Sequence, residues 1–153
     1  MIEFAFSLLL HVGAANARPA LPQTQFRVVK AQFGRLNPPG SPNPGFQPTT
    51  KVPLREGQAF GWVIELNAAK DRVRWREEIR LPGVPEEWRV EDKDSRHSLS
   101  ADRRTSILER ESRIEDGAIY NFWQLTRGDP KGRYSMRIMI EGLLVSTFEF
   151  DVE

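Results

Sequence analysis

The sequence predicts an all-β protein, an antiparallel sandwich of about seven strands. Several segments alternate between apolar and polar side chains, which is the period of a half-buried strand. The stretches between them are rich in proline, glycine and charge, and beyond residue 17 no segment has the period of an amphipathic helix. An up-and-down barrel is the alternative, but two long connections favour crossovers of the Greek-key kind.

Composition excludes several classes of function. The chain has 153 residues, with 22 Lys and Arg against 21 Asp and Glu, so its net charge of +1 gives no general attraction to nucleic acid or anionic lipid. The absence of cysteine excludes disulfides, a thiol nucleophile and cysteine-ligated zinc. The glycines form no phosphate-binding pattern, so we expect no cofactor.

The first 17 residues have the features of a secretory signal. An apolar run over residues 4–10 is followed by Ala15-Asn16-Ala17, a small-x-small box of the kind that signal peptidase cuts after. The run is too short to span a membrane as a helix, which takes roughly 20 residues. We predict a signal peptide over 1–17, no transmembrane segment, and a periplasmic or extracellular protein. A buried N-terminal helix of a cytoplasmic protein is the alternative, because Glu3 stands where a basic residue is usual.

The mature chain is predicted to begin with an extended lead-in over 18–25, where Pro19 and Pro22 exclude a helix. A single sandwich domain then covers 26–153. Its first strand starts at Phe26 and is predicted to carry Val29, Ala31 and Phe33 on one face. The proline-rich segment 37–50 is a long loop, and 83–104 is a second long connection with a short strand near residues 88–90. Six other segments alternate as strands do: 59–69, 72–81, 105–114, 118–126, 134–140 and 143–152.

The last two strands form a hairpin whose register can be derived. In the second strand Leu144, Phe148 and Phe150 are predicted to share the apolar face. A regular two-residue turn at Glu141-Gly142 would place Met136 opposite Thr147, which mixes the core and solvent faces. The patterns agree only if Met136 faces Phe148 and Tyr134 faces Phe150, so we predict a three-residue loop or a bulge near Gly142.

One charged residue falls on an apolar face. Glu77 shares the inward face of segment 72–81 with Trp75 and Ile79, where an unpaired charge is costly. We expect that an arginine pairs it, that the strand lies at an edge, or that a bulge turns it outward.

The opposite face of segment 72–81 carries a stripe of arginines, at positions 72, 74, 76 and 80. We predict a charge ladder, with carboxylates at 109, 111 and 115 on the facing strand. Residues 70–96 hold eight basic and eight acidic residues, and no aromatic residue shares the stripe's face to stack on a base. The stripe is therefore predicted to be exposed, partly paired and without affinity for nucleic acid.

The four tryptophans divide into two groups. Trp62, Trp75 and Trp123 lie on strand patterns and are predicted to be in the core. Trp88 lies in a charged loop, where it either anchors a partner or folds back over one end of the sandwich. Trp88, Arg72, Arg74 and Arg76 are the candidate partner surface.

No catalytic or metal-binding residue is predicted. Beyond the signal, His97 is the only histidine, and we expect it to lie in a solvated loop. The acidic residues at 91–94 are interrupted by Lys93 and lack the EF-hand spacing, so we expect a solvated turn.

The C-terminal stretch GDPKGRYSMRIMIEGLLVSTFEFDV resembles the last hairpin of bacterial immunoglobulin-like domains. Together with Trp123-Gln124-Leu125, it is similar to secreted members of an uncharacterised bacterial immunoglobulin-like family. The resemblance implies an immunoglobulin-like sandwich and supplies no catalytic residues.

We expect a secreted, non-enzymatic binding or accessory module of the bacterial envelope, whose partner is an unknown protein or envelope component. A small cofactor-free enzyme using a carboxylate pair and a sugar-binding module with Trp88 as its platform are the alternatives. The exposure of the tryptophans, and a cleft that holds two carboxylates, would distinguish these three readings.

Overall fold

A computed structural model describes residues 1–4 and 25–153. This part of the chain forms twelve β-strands and no helix, which confirms the predicted all-β sandwich. The strand count exceeds the predicted seven because five strands have only two or four residues, too few to show a period. The strands are β1 (Ile2–Glu3), β2 (Phe26–Asn37), β3 (Gly45–Pro48), β4 (Lys51–Val52), β5 (Ala59–Ala68), β6 (Arg72–Arg80), β7 (Arg89–Val90), β8 (Arg96–Leu99), β9 (Thr105–Arg113), β10 (Ala118–Gln124), β11 (Gly132–Ile140) and β12 (Leu143–Val152).

The strands form two six-stranded sheets. The first sheet has the order β3-β2-β5-β10-β1-β7, and the second has the order β4-β12-β11-β6-β9-β8. The pairings are antiparallel except for those of β1 with β7 and β4 with β12. Among the long strands, the chain changes sheet between β5 and β6, between β9 and β10, and between β10 and β11, so sequence neighbours face each other across the core.

Aromatic side chains fill the space between the sheets. Trp62, Trp75 and Trp123 are buried, as predicted, and Trp62 meets Trp75 edge to face at 5.2 Å between ring centroids. Phe33 stacks on Phe150 at 4.1 Å, joining the two sheets at the other end. Burial of these large rings is the main source of stability in a domain without disulfides.

The first sheet is also covered on its outer face. A second apolar cluster lies there, built around Leu36, Val63 and Phe122, with Phe4 and Phe46 packed against it. As a result β5 is buried on both faces over Ala59–Ile64. That explains why its sequence is apolar almost throughout.

The C-terminal hairpin has the predicted register. Met136 faces Phe148, Tyr134 faces Phe150, and the pairing shifts where Val145 forms a bulge. The turn itself has two residues, Glu141 and Gly142, with φ of 49° and 80°, which is the sign pattern of a type I′ turn. The prediction that Leu144 shares the apolar face of Phe148 is wrong, because the bulge reverses the alternation and leaves Leu144 exposed.

A second bulge corrects the prediction for β2. The pairing with β5 shifts between Val28 and Lys30, so Val29 turns outward and is exposed, while Ala31 and Phe33 keep the predicted orientation. Val28 packs against the core in its place.

The described N-terminal residues belong to the sandwich. β1 lies between β10 and β7, and both Met1 and Glu3 are buried. The predicted cleavage site after Ala17 and nearly all of the lead-in lie outside the described residues. Within the described ranges the structure has no helix that is long and apolar enough to cross a membrane.

Candidate binding surface

The arginine stripe lies on the outer face of β6, in the middle of the second sheet. Arg72 donates to Glu111 at 2.9 Å, and Arg74 lies 3.5 Å from the same carboxylate. Arg76 contacts Glu109 at 3.0 Å. These contacts confirm the predicted ladder of exposed arginines and facing carboxylates.

The ladder differs from the prediction at two points. Glu115 follows the end of β9 and makes a backbone bridge with Ala118, so it is not part of the ladder. Glu78 supplies a carboxylate instead, from the same strand as the stripe, and contacts Arg76 at 2.8 Å and Arg137 at 3.3 Å. The ladder therefore extends across β11, β6 and β9.

The ion pairs of the ladder shift the pKa of Glu111 and of Arg76. The hydrogen bond from Arg72 lowers the pKa of Glu111, and the bond to Glu78 raises the pKa of Arg76. At the edge of the same face, Ser100 and the Arg104 amide lower the pKa of Asp102 to about 2. A general acid at neutral pH needs a raised pKa, so Glu111 is unsuited to that role.

A groove of about 610 Å³ lies beside the stripe. Arg74 and Arg96 are the most exposed arginines along it, and each shares its carboxylate with another arginine. Met139 and Gly142 belong to the hairpin side of the groove. The groove thus has two features. Its exposed arginines share their carboxylates, so their charge is only partly compensated, and its hairpin side is apolar.

The tip of the β11–β12 hairpin extends this apolar margin. Leu143 and Leu144 are exposed by 55% and 54%, and Leu144 pairs with Met139. Single exposed leucines are ordinary in monomeric proteins, whereas two adjacent ones beside a groove with arginines and a methionine have the composition of a protein interface.

The structure separates the predicted candidate residues. Arg74 and Arg76 line the groove, and Arg72 lies next to them on the same strand face. Trp88 is not among the groove's lining residues: its ring packs edge to face on Trp123 at 5.6 Å, and its indole N–H donates to the Arg103 carbonyl at 2.9 Å. Of the two interpretations of Trp88, these contacts favour a ring folded back on the sandwich.

Glu77 lies fully buried between the two sheets. Its carboxylate accepts hydrogen bonds from the indole N–H groups of Trp62 and Trp123, both at 2.5 Å, and from the Asn121 amide at 3.1 Å. All three expectations for Glu77 are wrong: no arginine among the described residues pairs with it, β6 is a central strand, and the pairing of β6 is regular.

The sequence did contain a signal for this arrangement. Asn121 lies between Ile119 and Trp123 on the inward face of β10, so two polar residues were available to meet inside one core. Tryptophan N–H groups also need partners when they are buried. Burial raises the pKa of Glu77, against the opposing effect of its three donors.

His97 lies in β8, which corrects the prediction of a loop histidine. It is half-buried, its Nε2 is 2.9 Å from the Ser106 hydroxyl, and burial lowers its pKa.

Asp92, from the predicted acidic turn, contacts Arg110 at 2.8 Å. Among residues 1–4 and 25–153 no group of three or more potential ligands could hold a metal ion.

The geometry bears on the two alternative hypotheses, a small enzyme with a carboxylate pair and a sugar-binding module. The groove is lined by the carboxylates of Asp94, Glu109 and Glu111, and the last two are paired with arginines. Glu77, whose pKa is raised by burial, does not line the groove. Three tryptophans are buried, and the fourth packs edge to face on one of them. Neither arrangement supplies an acid–base pair or an open aromatic platform for a sugar.

Comparisons with known proteins agree with the architecture. A family model described as the PM0630 beta sandwich domain matches residues 31–153. The fold is similar to the crystal structure of an immunoglobulin-like protein from Pseudomonas aeruginosa, with a TM-score of 0.57 and 19% identity over 86% of this chain and 98% of that one. No curated protein matches the sequence.

Proposed function

The chain belongs to the PM0630 beta sandwich domain family, a fold that defines no chemistry by itself, and we propose that it is a secreted, non-enzymatic binding or accessory module of the bacterial envelope. The partner is an envelope protein that docks at the hairpin tip, defined as Leu143 and Leu144, and the adjoining groove.

The hairpin tip is the observation on which this proposal depends. Its two leucines account for two of the five large hydrophobic side chains that are exposed in the described ranges. Leu144 pairs with Met139, which lines the groove together with Arg74. Methionine and arginine are enriched in protein interfaces, and an apolar centre with a charged rim is their usual layout.

The signal-like features of residues 1–17 support the proposal of secretion. Mass spectrometry of the protein isolated from its native cells tests it directly. A chain that starts at Arg18 is expected, and an intact Met1 in a cytoplasmic fraction would contradict both the signal and the envelope location.

Site-specific photo-crosslinking tests the docking surface. A photoreactive residue at position 144 should give a discrete adduct with an envelope protein. The same residue at Val84, which is exposed to a similar extent, serves as the matched control. The envelope protein identified by the crosslink should no longer co-purify with the double variant Leu143→Ser, Leu144→Ser. It should still co-purify with Val84→Ser. Equal labelling from positions 144 and 84 would count against the tip.

A further inference from the structure

β1 occupies a place between two other strands. Ile2 and Glu3 pair antiparallel with Gln124 and Trp123 of β10, and they pair parallel with β7. The Arg89 amide donates to the Met1 carbonyl at 2.8 Å. In the described part of the chain β7 has no other strand partner, so β1 is what joins it to the sheet.

The side chains of this short segment alternate as a strand requires. Met1 and Glu3 are buried in the sandwich, and Met1 belongs to the main core. Phe4 packs on the other side, against the outer apolar cluster around Phe122. In order, the place of β1 holds a buried apolar residue, a half-buried residue, a buried acidic residue and an aromatic residue.

The acidic position has a specific partner. Arg110 is largely buried, donates to Glu3 at 3.0 Å, and lies over the Trp75 ring at 5.4 Å. Asp92 contacts the same guanidinium. Burial raises the pKa of Glu3, and Arg110 opposes that effect. Loss of Glu3 would leave a largely buried cation with a single carboxylate partner.

Residues 1–4 belong to the predicted signal peptide, so cleavage would separate them from the sandwich. Cleavage after Ala17 would remove β1, leaving the Trp123–Gln124 backbone and Arg110 without the partners that β1 supplies. Unpaired backbone at a sheet position is a template for strand addition.

We propose that the place of β1 is a strand-acceptor site, which in the secreted protein takes an extended segment of a partner with the pattern apolar–x–acidic–aromatic. The inference rests on the proposed secretion. The main-chain bonds to β10 and β7 hold the segment, and Arg110 reads its carboxylate. Residues 1–4 serve as the structural template for that segment.

The test uses the mature protein isolated from the periplasm, with its first residue determined by mass spectrometry. The probe is a synthetic peptide that carries the sequence of residues 1–4 followed by two threonines, titrated by calorimetry. The same peptide with Glu3→Gln is the matched control. Backbone amide shifts at Trp123, Gln124 and Arg89 in NMR spectra locate the peptide.

A mature chain starting at Arg18 is expected to bind the peptide at one site, and the Glu3→Gln peptide should bind about tenfold more weakly or worse, because a hydrogen bond between charged groups is lost. The protein variant Arg110→Ala should lose this discrimination, whereas Arg113→Ala, on an exposed arginine of the same strand, should retain it. If Arg110→Ala fails to fold, the difference in affinity between the two peptides for the wild-type protein still tests the inference.

Two results would overturn the inference, and they differ in what else they overturn. A chain that starts at Arg18 and binds neither peptide at millimolar concentration excludes the acceptor site and leaves secretion intact. A chain that keeps Met1 excludes both, since its own residues then fill the site.

Discussion

The carboxylate of Glu77 in the second sheet accepts a hydrogen bond from the indole of Trp62 in the first sheet, at 2.5 Å. With Trp123 and Asn121 it forms a polar link between the sheets, at a depth where no solvent can replace a lost partner. In a sandwich without cysteine, this link fixes how the two sheets sit on each other.

Removing the carboxylate should destabilise the protein strongly. Glu77→Ala leaves three buried donors without an acceptor, and each unsatisfied group costs about 1–3 kcal/mol, so we expect a loss of about 3 kcal/mol or more in unfolding free energy. Glu77→Gln keeps one oxygen and should lose less. Urea unfolding followed by tryptophan fluorescence measures both. Glu109→Gln, on the outer ladder, is the control and should change stability by less than about 1 kcal/mol.

The pH dependence of stability should reveal Glu77 as well. Its pKa is raised by burial above the ordinary 4.5, so the folded state binds the proton more tightly than the unfolded chain does. The stabilising effect of that proton is complete below pH 4.5 and is lost as the pH rises through the raised folded-state pKa.

The wild type should therefore lose stability relative to Glu77→Gln as the pH is raised from about 4.5 to 8. Glu3, whose pKa is also raised by burial, is present in both proteins and largely cancels in the comparison. Unfolding free energies that run parallel for the two proteins over this range would show that Glu77 does not titrate there.

Gly61 should not tolerate a side chain. A Cβ at this position would lie 2.0 Å from the Asn121 carbonyl oxygen and 2.8 Å from the Phe122 Cα, both of them backbone atoms of the neighbouring strand. Gly61→Ala is expected to cost about 3 kcal/mol or more, because the strands β5 and β10 must separate. Gly83→Ala places its Cβ 3.3 Å from a Pro130 side-chain atom and serves as the milder control. Similar unfolding midpoints for the two variants would contradict this.

The arginine ladder should not act as a polyanion site. At about 0.15 M salt, exposed charges are screened beyond roughly 8 Å, and those of the stripe are shared with carboxylates, so we expect the protein to pass through heparin or DNA resin. The triple variant Arg72→Gln, Arg74→Gln, Arg76→Gln should behave in the same way. Retention of the wild type that this variant loses would make the stripe a functional surface.

The main architecture could be predicted from the sequence, because long strands have a local period. The strands that became β5, β6, β9, β10, β11 and β12 were predicted to within about two residues of their bounds. The register of the last hairpin followed from matching two apolar patterns, since a slip by one residue would have exposed the core face. The position of the bulge at Val145 did not follow, and with it the exposure of Leu144.

Only the tertiary structure decided what surrounds Glu77, where Trp88 packs, and which short segments other than β7 became strands. The donors to Glu77 come from β5 and β10, which meet it only when two sheets close on each other. β1, β3, β4 and β8 are strands because a neighbour pairs with them, and two to four residues carry no period of their own. The short strand predicted near residues 88–90 is confirmed as β7. The sequence by itself determined which residues face inward along the regular parts of the long strands, because that alternation is a property of one chain segment. It did not determine the bulges that turn Val29 and Leu144 outward. The local pattern indicated that Glu77 faces inward and that the arginine stripe faces outward. The donors that meet Glu77 and the groove beside the stripe were decided by distant segments coming together.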